Sequence, residues 1–362
     1  MKLIYLPLEP YIERYTYLMS KRNGWAENHF QRNDLTYLRI EGEETSGKIN
    51  SGSVVDAYSR SRWAMEQTKK VINLIESGEI KDGDVIYTED FWHPGIESLF
   101  YIRDITKVDF KVGCFMHAQS IDESDFTYPM RHWIGDIEKG YSNGYDYIFV
   151  TSSILKDIAI EAGWNKDRIF LTGLPYNLNE VEKRYQEFLT LKKEPFVLFS
   201  SRFDLEKNPH FFMDLVEGCP EINFKLVKPR KHLSNSQEVN QRAERLDTTL
   251  SNFEIVDTSS KEKYYNLLAR ADVQFNCAIQ DWVSWTLLEA VTFGCKPLYP
   301  TWKDFPYELD GFEDCLYENK NLISAKMKLR NLMGKTFDKN LKSIAQRHDK
   351  SWDKKLSYMG LI

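Results

Sequence analysis

A chain of 362 residues exceeds the usual size of one compact domain, and its 42% hydrophobic and 28% charged content excludes a mainly disordered or fibrous protein. With 48 Lys and Arg against 54 Asp and Glu the net charge is −6, and residues 1–150 alone carry 17 against 24, which excludes the global positive field of a non-specific nucleic-acid binder. Five scattered cysteines (Cys114, Cys219, Cys277, Cys295, Cys315) lack disulfide-framework or metal-ligand spacing, and neither a metal nor a cofactor is expected.

The apolar stretch after Lys2 stops at Pro7, too short for a signal-peptide core, and no run approaches a membrane span, so a cytoplasmic protein is expected. In chain order, the first half reads as strands at Lys2–Leu6, Leu35–Ile40, Asp84–Thr88, Lys111–Met116, Tyr145–Thr151 and Arg168–Leu171. Helices are predicted between them near 11–31, 57–77, 95–105, 130–140 and 153–162. In the stretch 57–77, Trp63, Ala64, Val71, Leu74 and Ile75 share a face while Arg60, Lys69 and Lys70 point elsewhere, and Gly78 supplies a stop. The polar stretch Tyr176–Lys193 reads as a helix plus linker, the linker set at 179–194. Strands resume at Phe196–Ser200, Ile222–Val227, Phe253–Val256, Asp272–Asn276, Lys296–Tyr299 and Cys315–Tyr317, with helices near 207–217, 237–249, 261–270, 284–293 and 321–334. Strand–helix alternation of this kind predicts an α/β protein with two doubly wound, Rossmann-like units. The boundaries are 1–178 for the first and 195–337 for the second, followed by a helical segment over 338–362 that can cross back to the first. Ligands of such sheets sit beyond the carboxyl ends of the strands, so two facing units make a cleft.

Two segments carry chemistry. In Phe199-Ser200-Ser201-Arg202-Phe203-Asp204-Leu205-Glu206-Lys207-Asn208-Pro209 a buried strand ends in two serines, an arginine follows, and a lysine precedes a helix. That geometry aims a guanidinium and an ammonium at one point, where a departing diphosphate needs its charge neutralised. A surface arginine and lysine flanking a turn is the plainer reading of this segment alone. The second segment, Gln280-Asp281-Trp282-Val283-Ser284-Trp285-Thr286-Leu287-Leu288-Glu289, sets Asp281 in a loop and Glu289 inside the next helix, with Ser284 as its cap. A carboxylate within the helix takes ribose hydroxyls, and one before it takes hydroxyls of a sugar. Gly294 ends the helix and Pro297 stands in the following strand.

In this order, the two segments resemble the carboxyl-terminal half of retaining glycosyltransferases of GT-B architecture, family 4-like. The resemblance assigns Arg202 and Lys207 to the donor diphosphate, and Asp281 with Glu289 to a carboxylate pair. Ser284 and Trp285 fall where backbone amides meet phosphate, with Ser201 among the donor contacts. Asp281 stands where the family has Glu, one methylene longer. His117, just after a strand, falls where the family places a histidine beside the transferred sugar; alone, a histidine there is more often a hydrogen-bonded structural residue. The family's glycine-rich loop after the first strand is replaced by Pro7-Leu8-Glu9-Pro10-Tyr11, followed by Arg14.

The resemblance implies metal-independent transfer with retention, from a UDP- or GDP-linked sugar to an acceptor hydroxyl. Arg14, Asp90, Trp92 and His93 are acceptor-side candidates, although a polar cap on the next helix accounts equally for the segment from Asp90 to His93. Aromatic content is 14%, and aromatic rings stack sugars and bases as well as filling cores. The stretch 14–39 interleaves Arg14, Lys21, Arg22, Arg32 and Arg39 with Trp25, His29, Phe30 and Tyr37, a pattern able to hold flipped nucleotides or to form an ordinary amphipathic helix. This opening also resembles phage-encoded DNA-modifying glycosyltransferases, whose acceptor is a hydroxymethylated pyrimidine in DNA and whose location would be the host cytoplasm. A nucleotide-sugar-binding protein without turnover is the alternative outside enzymes.

Overall fold

The structure is a computed structural model that describes residues 1–11, 16–43, 56–228, 233–337 and 340–362. The chain divides into two compact units, Met1–Pro175 with Lys350–Ile362, and Tyr176–Asp349.

The first unit holds six parallel strands: β1 (Leu3–Leu6), β2 (Tyr37–Arg39), β3 (Val85–Thr88), β4 (Lys111–Phe115), β5 (Tyr147–Val150) and β6 (Ile169–Leu171), in the order β2-β1-β3-β4-β5-β6. Every residue of β1 and β3 is buried, the mark of a sheet covered by helices on both faces. Leu3 pairs with Val85 and Tyr37, so the chain leaves β1 in one direction and returns on its other side at β3. That reversal opens a crevice beyond the carboxyl ends of β1 and β3. Helix Ala57–Glu76, which connects β2 to β3, starts on Asp56, whose carboxylate accepts from the backbone N–H groups of Tyr58 and Ser59. Gly78 then turns the chain with φ +74°, a conformation that costs glycine nothing. The C-terminal helix Ser351–Tyr358 packs within this unit: the Trp352 ring lies 5.3 Å from Phe30 and 5.5 Å from Tyr87.

The second unit repeats the plan with β7 (Glu194–Phe199), β8 (Asn223–Lys228), β9 (Phe253–Asp257), β10 (Ala271–Phe275), β11 (Lys296–Pro300) and β12 (Leu316–Tyr317), in the order β12-β11-β10-β7-β8-β9. Counted from its own first strand this is 3-2-1-4-5-6, the dinucleotide-fold order, with the reversal between β7 and β10. Helix Trp285–Thr292 leads into β11 through Gly294 at φ +68°.

Each predicted strand has an observed counterpart, with ends shifted by one or two residues. Some helical expectations change. The stretch 11–31 holds two short helices in its described part, Tyr17–Ser20 and Trp25–Arg32, separated at Asn23 (φ 54°) and Gly24. Any Cβ on Gly24 would stand 2.6 Å from the Lys21 carbonyl, so the sharp break there depends on glycine. In the 176–193 stretch the helix forms as expected, at Leu178–Arg184, and belongs to the second unit, where the Leu178 N–H donates to Asp349 and Lys342 pairs with Glu182. The C-terminal segment forms two helices: Lys342–Asp349 stays with the second unit and Ser351–Tyr358 with the first. Arg60 does not point outward. It is buried, held between Glu9 at 3.4 Å and Asp90 at 3.3 Å, because carboxylates from two strand ends lie within its reach.

Candidate active site

In the second unit the loop after β7 and the loop after β10 are clamped together. The Ile279 N–H donates to the Glu206 carbonyl at 3.0 Å, and Lys207 Nζ donates to the Gln280 carbonyl at 2.6 Å. Lys207 is nearly buried, and its ammonium stands 3.5 Å from Asp281 Oδ2, so the predicted cation and the first predicted carboxylate do meet. Asn208, left-handed at φ 54°, then hands the chain into helix Pro209–Glu217. Arg202 lies on the same loop with its side chain 35% exposed, turned onto Glu206 at 2.7 Å and Asp204 at 3.6 Å.

Glu289 is buried, and both its oxygens are engaged. Oε1 accepts from Lys261 Nζ at 2.9 Å and from Tyr265 at 2.7 Å, and Oε2 accepts from Tyr264 at 2.8 Å. Burial, reinforced by this carboxylate, pushes both phenols far above their ordinary pKa, so they remain donors at any working pH. The Ser200 hydroxyl, just after β7, accepts from Gln274 Nε2 on β10 at 3.1 Å. Tyr299 lies 3.2 Å from the Thr286 hydroxyl, which pairs with Ser284. The unit therefore holds two polar groups, one buried around Glu289 and one joining Ser284, Thr286 and Tyr299, with a Ser200–Gln274 bond linking the end of β7 to β10. Arg202 follows two residues after Ser200, and Ser201 between them is buried.

Ser284 occupies the cap position of helix Trp285–Thr292 but does not cap it with its side chain. Its hydroxyl pairs with Thr286 at 2.8 Å, because Thr286 lies within reach and is itself held by Tyr299 at 3.2 Å. Trp285 packs its ring 6.1 Å from Tyr176. Sequence reasoning missed the shell of Glu289. Its signal was present: Lys261, Tyr264 and Tyr265 fall at i, i+3 and i+4 of one helix, Lys261–Arg270, and so share a face.

In the first unit the carboxyl ends of β1, β3 and β4 gather a second polar group. His117 follows β4, and its Nε2 lies 3.0 Å from the Glu89 carbonyl; burial lowers its pKa, so the ring is neutral near pH 7. The Glu89 side chain is fully buried and accepts from the Tyr5 and Ser20 hydroxyls. Asp90 is partly exposed, paired with Arg60 and accepting from the Trp92 N–H at 3.1 Å. His93 is a core residue: buried, flanked by Thr68 at 3.3 Å and Thr88 at 3.4 Å, with burial lowering its pKa to about 3. It therefore does not reach a surface crevice, and its ring does not cap helix Ile96–Thr106 either, whose cap position is Gly95 with no side-chain hydrogen bond.

Arg14 lies outside the described residues. The aromatic–basic pattern of 14–39 does not form a nucleotide platform where it is described. Trp25, His29 and Phe30 are buried, and Arg39 is spent on Glu27, Glu41 and the Ser20 carbonyl.

This arrangement defines an α/β fold of the GT-B type, two Rossmann-like units in tandem, with a polar constellation at the strand reversal of the second. No family model matches the sequence, and no curated protein matches it. Among solved structures, the chain is similar to sucrose-phosphate synthase from Thermosynechococcus elongatus, at 13% identity over 100% of this chain and 96% of that one, with a TM-score of 0.65. It is also similar to Anabaena HepE in complex with UDP and glucose, at 12% identity over 99% of each chain and a TM-score of 0.65. A glycosyltransferase from Rickettsia africae matches at 13% identity over 99% of this chain and 95% of that one, with a TM-score of 0.59. Among the described residues, no helix is long and apolar enough to cross a membrane.

Proposed function

We propose that this chain is a glycosyltransferase that moves a sugar from a nucleotide-sugar donor, UDP- or GDP-linked, to an acceptor hydroxyl, with retention and without a metal. The observation that carries the reading is the meeting of Lys207 with Asp281 at 3.5 Å in the loops beyond the reversal of the second sheet, in the same unit as the buried Glu289 and its Lys261, Tyr264 and Tyr265 partners. The likeness to HepE, solved with UDP and glucose, supports the same ligand class.

In this scheme the donor lies against the second unit. Lys207, with Arg202 turned from Glu206, neutralises the diphosphate, and the first turn of helix Trp285–Thr292 adds backbone donors. Glu289 takes a ribose hydroxyl. A carboxylate offers about four acceptor sites, and three are occupied here, so one remains and a second opens when the half-exposed Lys261 swings away. Asp281, shorter than glutamate, orients the sugar. The acceptor oxygen bonds to the anomeric carbon as that carbon's bond to the phosphate oxygen breaks. The acceptor proton passes to a phosphate oxygen of the leaving diphosphate. Proximity and electrostatic stabilisation then supply most of the rate.

The test is release of nucleoside diphosphate from UDP-, GDP- and ADP-sugars against acceptors that include simple saccharides and 5-hydroxymethylcytosine DNA. Acceptor-stimulated release that Lys207→Ala abolishes supports the reading. Binding of a nucleotide sugar without release under any condition would convert it to that of a binding protein.

A further inference from the structure

Trp92 follows β3, and the segment from His117 to Trp133 follows β4, so both lie beyond the carboxyl ends of neighbouring strands in the first unit. Trp92 is half-buried, its ring centroid 6.4 Å from Trp133 at an interplanar angle of 77° and 5.9 Å from Tyr141. Trp133 is 45% exposed and Phe126, on the same segment, 55% exposed. Single exposed aromatics are common on protein surfaces, but tryptophans in mutual contact at the ligand end of a parallel sheet are a built surface.

The charge of this surface narrows what it can hold. Residues 117–138 contain five carboxylates and a single cation, Arg131. That cation is committed, lying 4.0 Å over the Tyr128 ring. Asp90 is within electrostatic reach of Asp125 and Glu138, and both of these also gain proton affinity from burial. Nucleic acid is gripped through its phosphates by free Lys and Arg, whereas here Arg131 lies over Tyr128 and Arg60, beside Trp92, is held by Glu9 and Asp90. A neutral sugar suits it: the C–H face of the ring packs on an aromatic plane, and the hydroxyls donate to carboxylates.

We propose that this face binds the acceptor and that the acceptor is an uncharged saccharide, with Trp92 and Trp133 as its stacking platform and Asp90 as a hydroxyl acceptor. The proposal rests on the glycosyltransferase reading and specifies its acceptor class.

The probes are maltotriose, cellotriose and chitotriose, followed by saturation-transfer NMR, with 5-hydroxymethylcytosine duplex DNA followed by fluorescence anisotropy. Wild-type protein is expected to show transfer to the C–H protons of at least one trisaccharide. Trp133→Ala should weaken that binding at least tenfold with an unchanged circular dichroism spectrum; Phe126→Ser serves as a second surface variant should the first fail to fold. Duplex DNA should leave the anisotropy unchanged. Saccharide binding indifferent to both substitutions, no saccharide binding, or DNA binding lost in Trp133→Ala would each overturn the proposal. A thermal shift of wild-type protein with UDP-glucose and GDP-mannose separates the two levels. A shift without saccharide binding removes this inference alone, whereas no shift with either donor removes the glycosyltransferase reading beneath it.

Discussion

Substitution of Glu289 separates its role as a structural anchor from its role as a ligand. In Glu289→Ala, the buried Tyr264 and Tyr265 hydroxyls lose their carboxylate acceptor. Each buried donor left unpaired costs about 1–3 kcal/mol, so the pair costs about 2–6 kcal/mol before any cavity is counted. In Glu289→Gln the volume is kept and one oxygen still accepts, while the other tyrosine hydroxyl can turn to accept from the new amide. Lys261, 47% exposed, returns to water. The loss there is the difference between charged and neutral hydrogen bonds, about 1–2 kcal/mol. For a unit of this size, each kcal/mol lowers Tm by about 2–4 °C. Differential scanning calorimetry should therefore place the glutamine variant about 2–8 °C below wild type and the alanine variant well below that. Loss of a charged acceptor for ribose predicts about 10–100-fold weaker nucleotide-sugar binding in the glutamine variant. An alanine variant as stable as wild type would refute the anchoring role, and a glutamine variant with undiminished donor affinity would refute the ribose role.

Lys207→Ala and Arg202→Ala should each lower kcat by about two to three orders of magnitude, the usual effect of removing one preorganised charge from a developing anion. Steady-state release of nucleoside diphosphate reads this directly, and near-normal rates in both would count against the diphosphate assignment. Glu138 accepts from the Ser120 hydroxyl at 2.6 Å, and burial raises its pKa to about 7 from an ordinary 4.5. The native state thus binds the proton more tightly than the unfolded chain, so this group's stabilisation is complete below pH 4.5 and is lost as pH rises towards 7, by up to about 3 kcal/mol. Glu138→Gln should flatten that part of the Tm–pH profile, and an unchanged slope would contradict it. His93, lowered to about 3, carries the opposite sign: its contribution is intact above pH 6.5 and is lost as pH falls towards 3. NMR titration should find its ring neutral throughout pH 5–8, and a protonation step in that window would contradict its core placement.

The strands were legible because each is a short β-branched or aromatic run bounded by polar turns, and helix-covered parallel strands need little else. Lys207 and Asp281 were each legible as candidates from the loops after their strands, but their meeting was not, because it depends on those loops leaving adjacent strands at the sheet's reversal. What was not legible depends on long-range partners. Arg60 sits on a helix whose polar positions read as solvent-facing, and only the folding of Glu9 and Asp90 to its side makes burial favourable. His93 reads as a surface candidate from its strand-end position, yet Thr68, on another element, closes over it. The Ser284 side chain looked like a cap, but a competing hydroxyl two residues on took its hydrogen bond. The break within 11–31 turns on Gly24, where a carbonyl approach leaves no room for a Cβ, a constraint invisible to hydrophobic periodicity.

Calorimetric titration of the intact chain with UDP-glucose and GDP-mannose bears most directly on the claim that the second unit grips a nucleotide sugar through Lys207, Asp281 and Glu289. The account predicts saturable heat with at least one donor, and binding at least tenfold weaker in Lys207→Ala. Heat absent with both donors, or the same affinity after loss of the Lys207 ammonium, would contradict it.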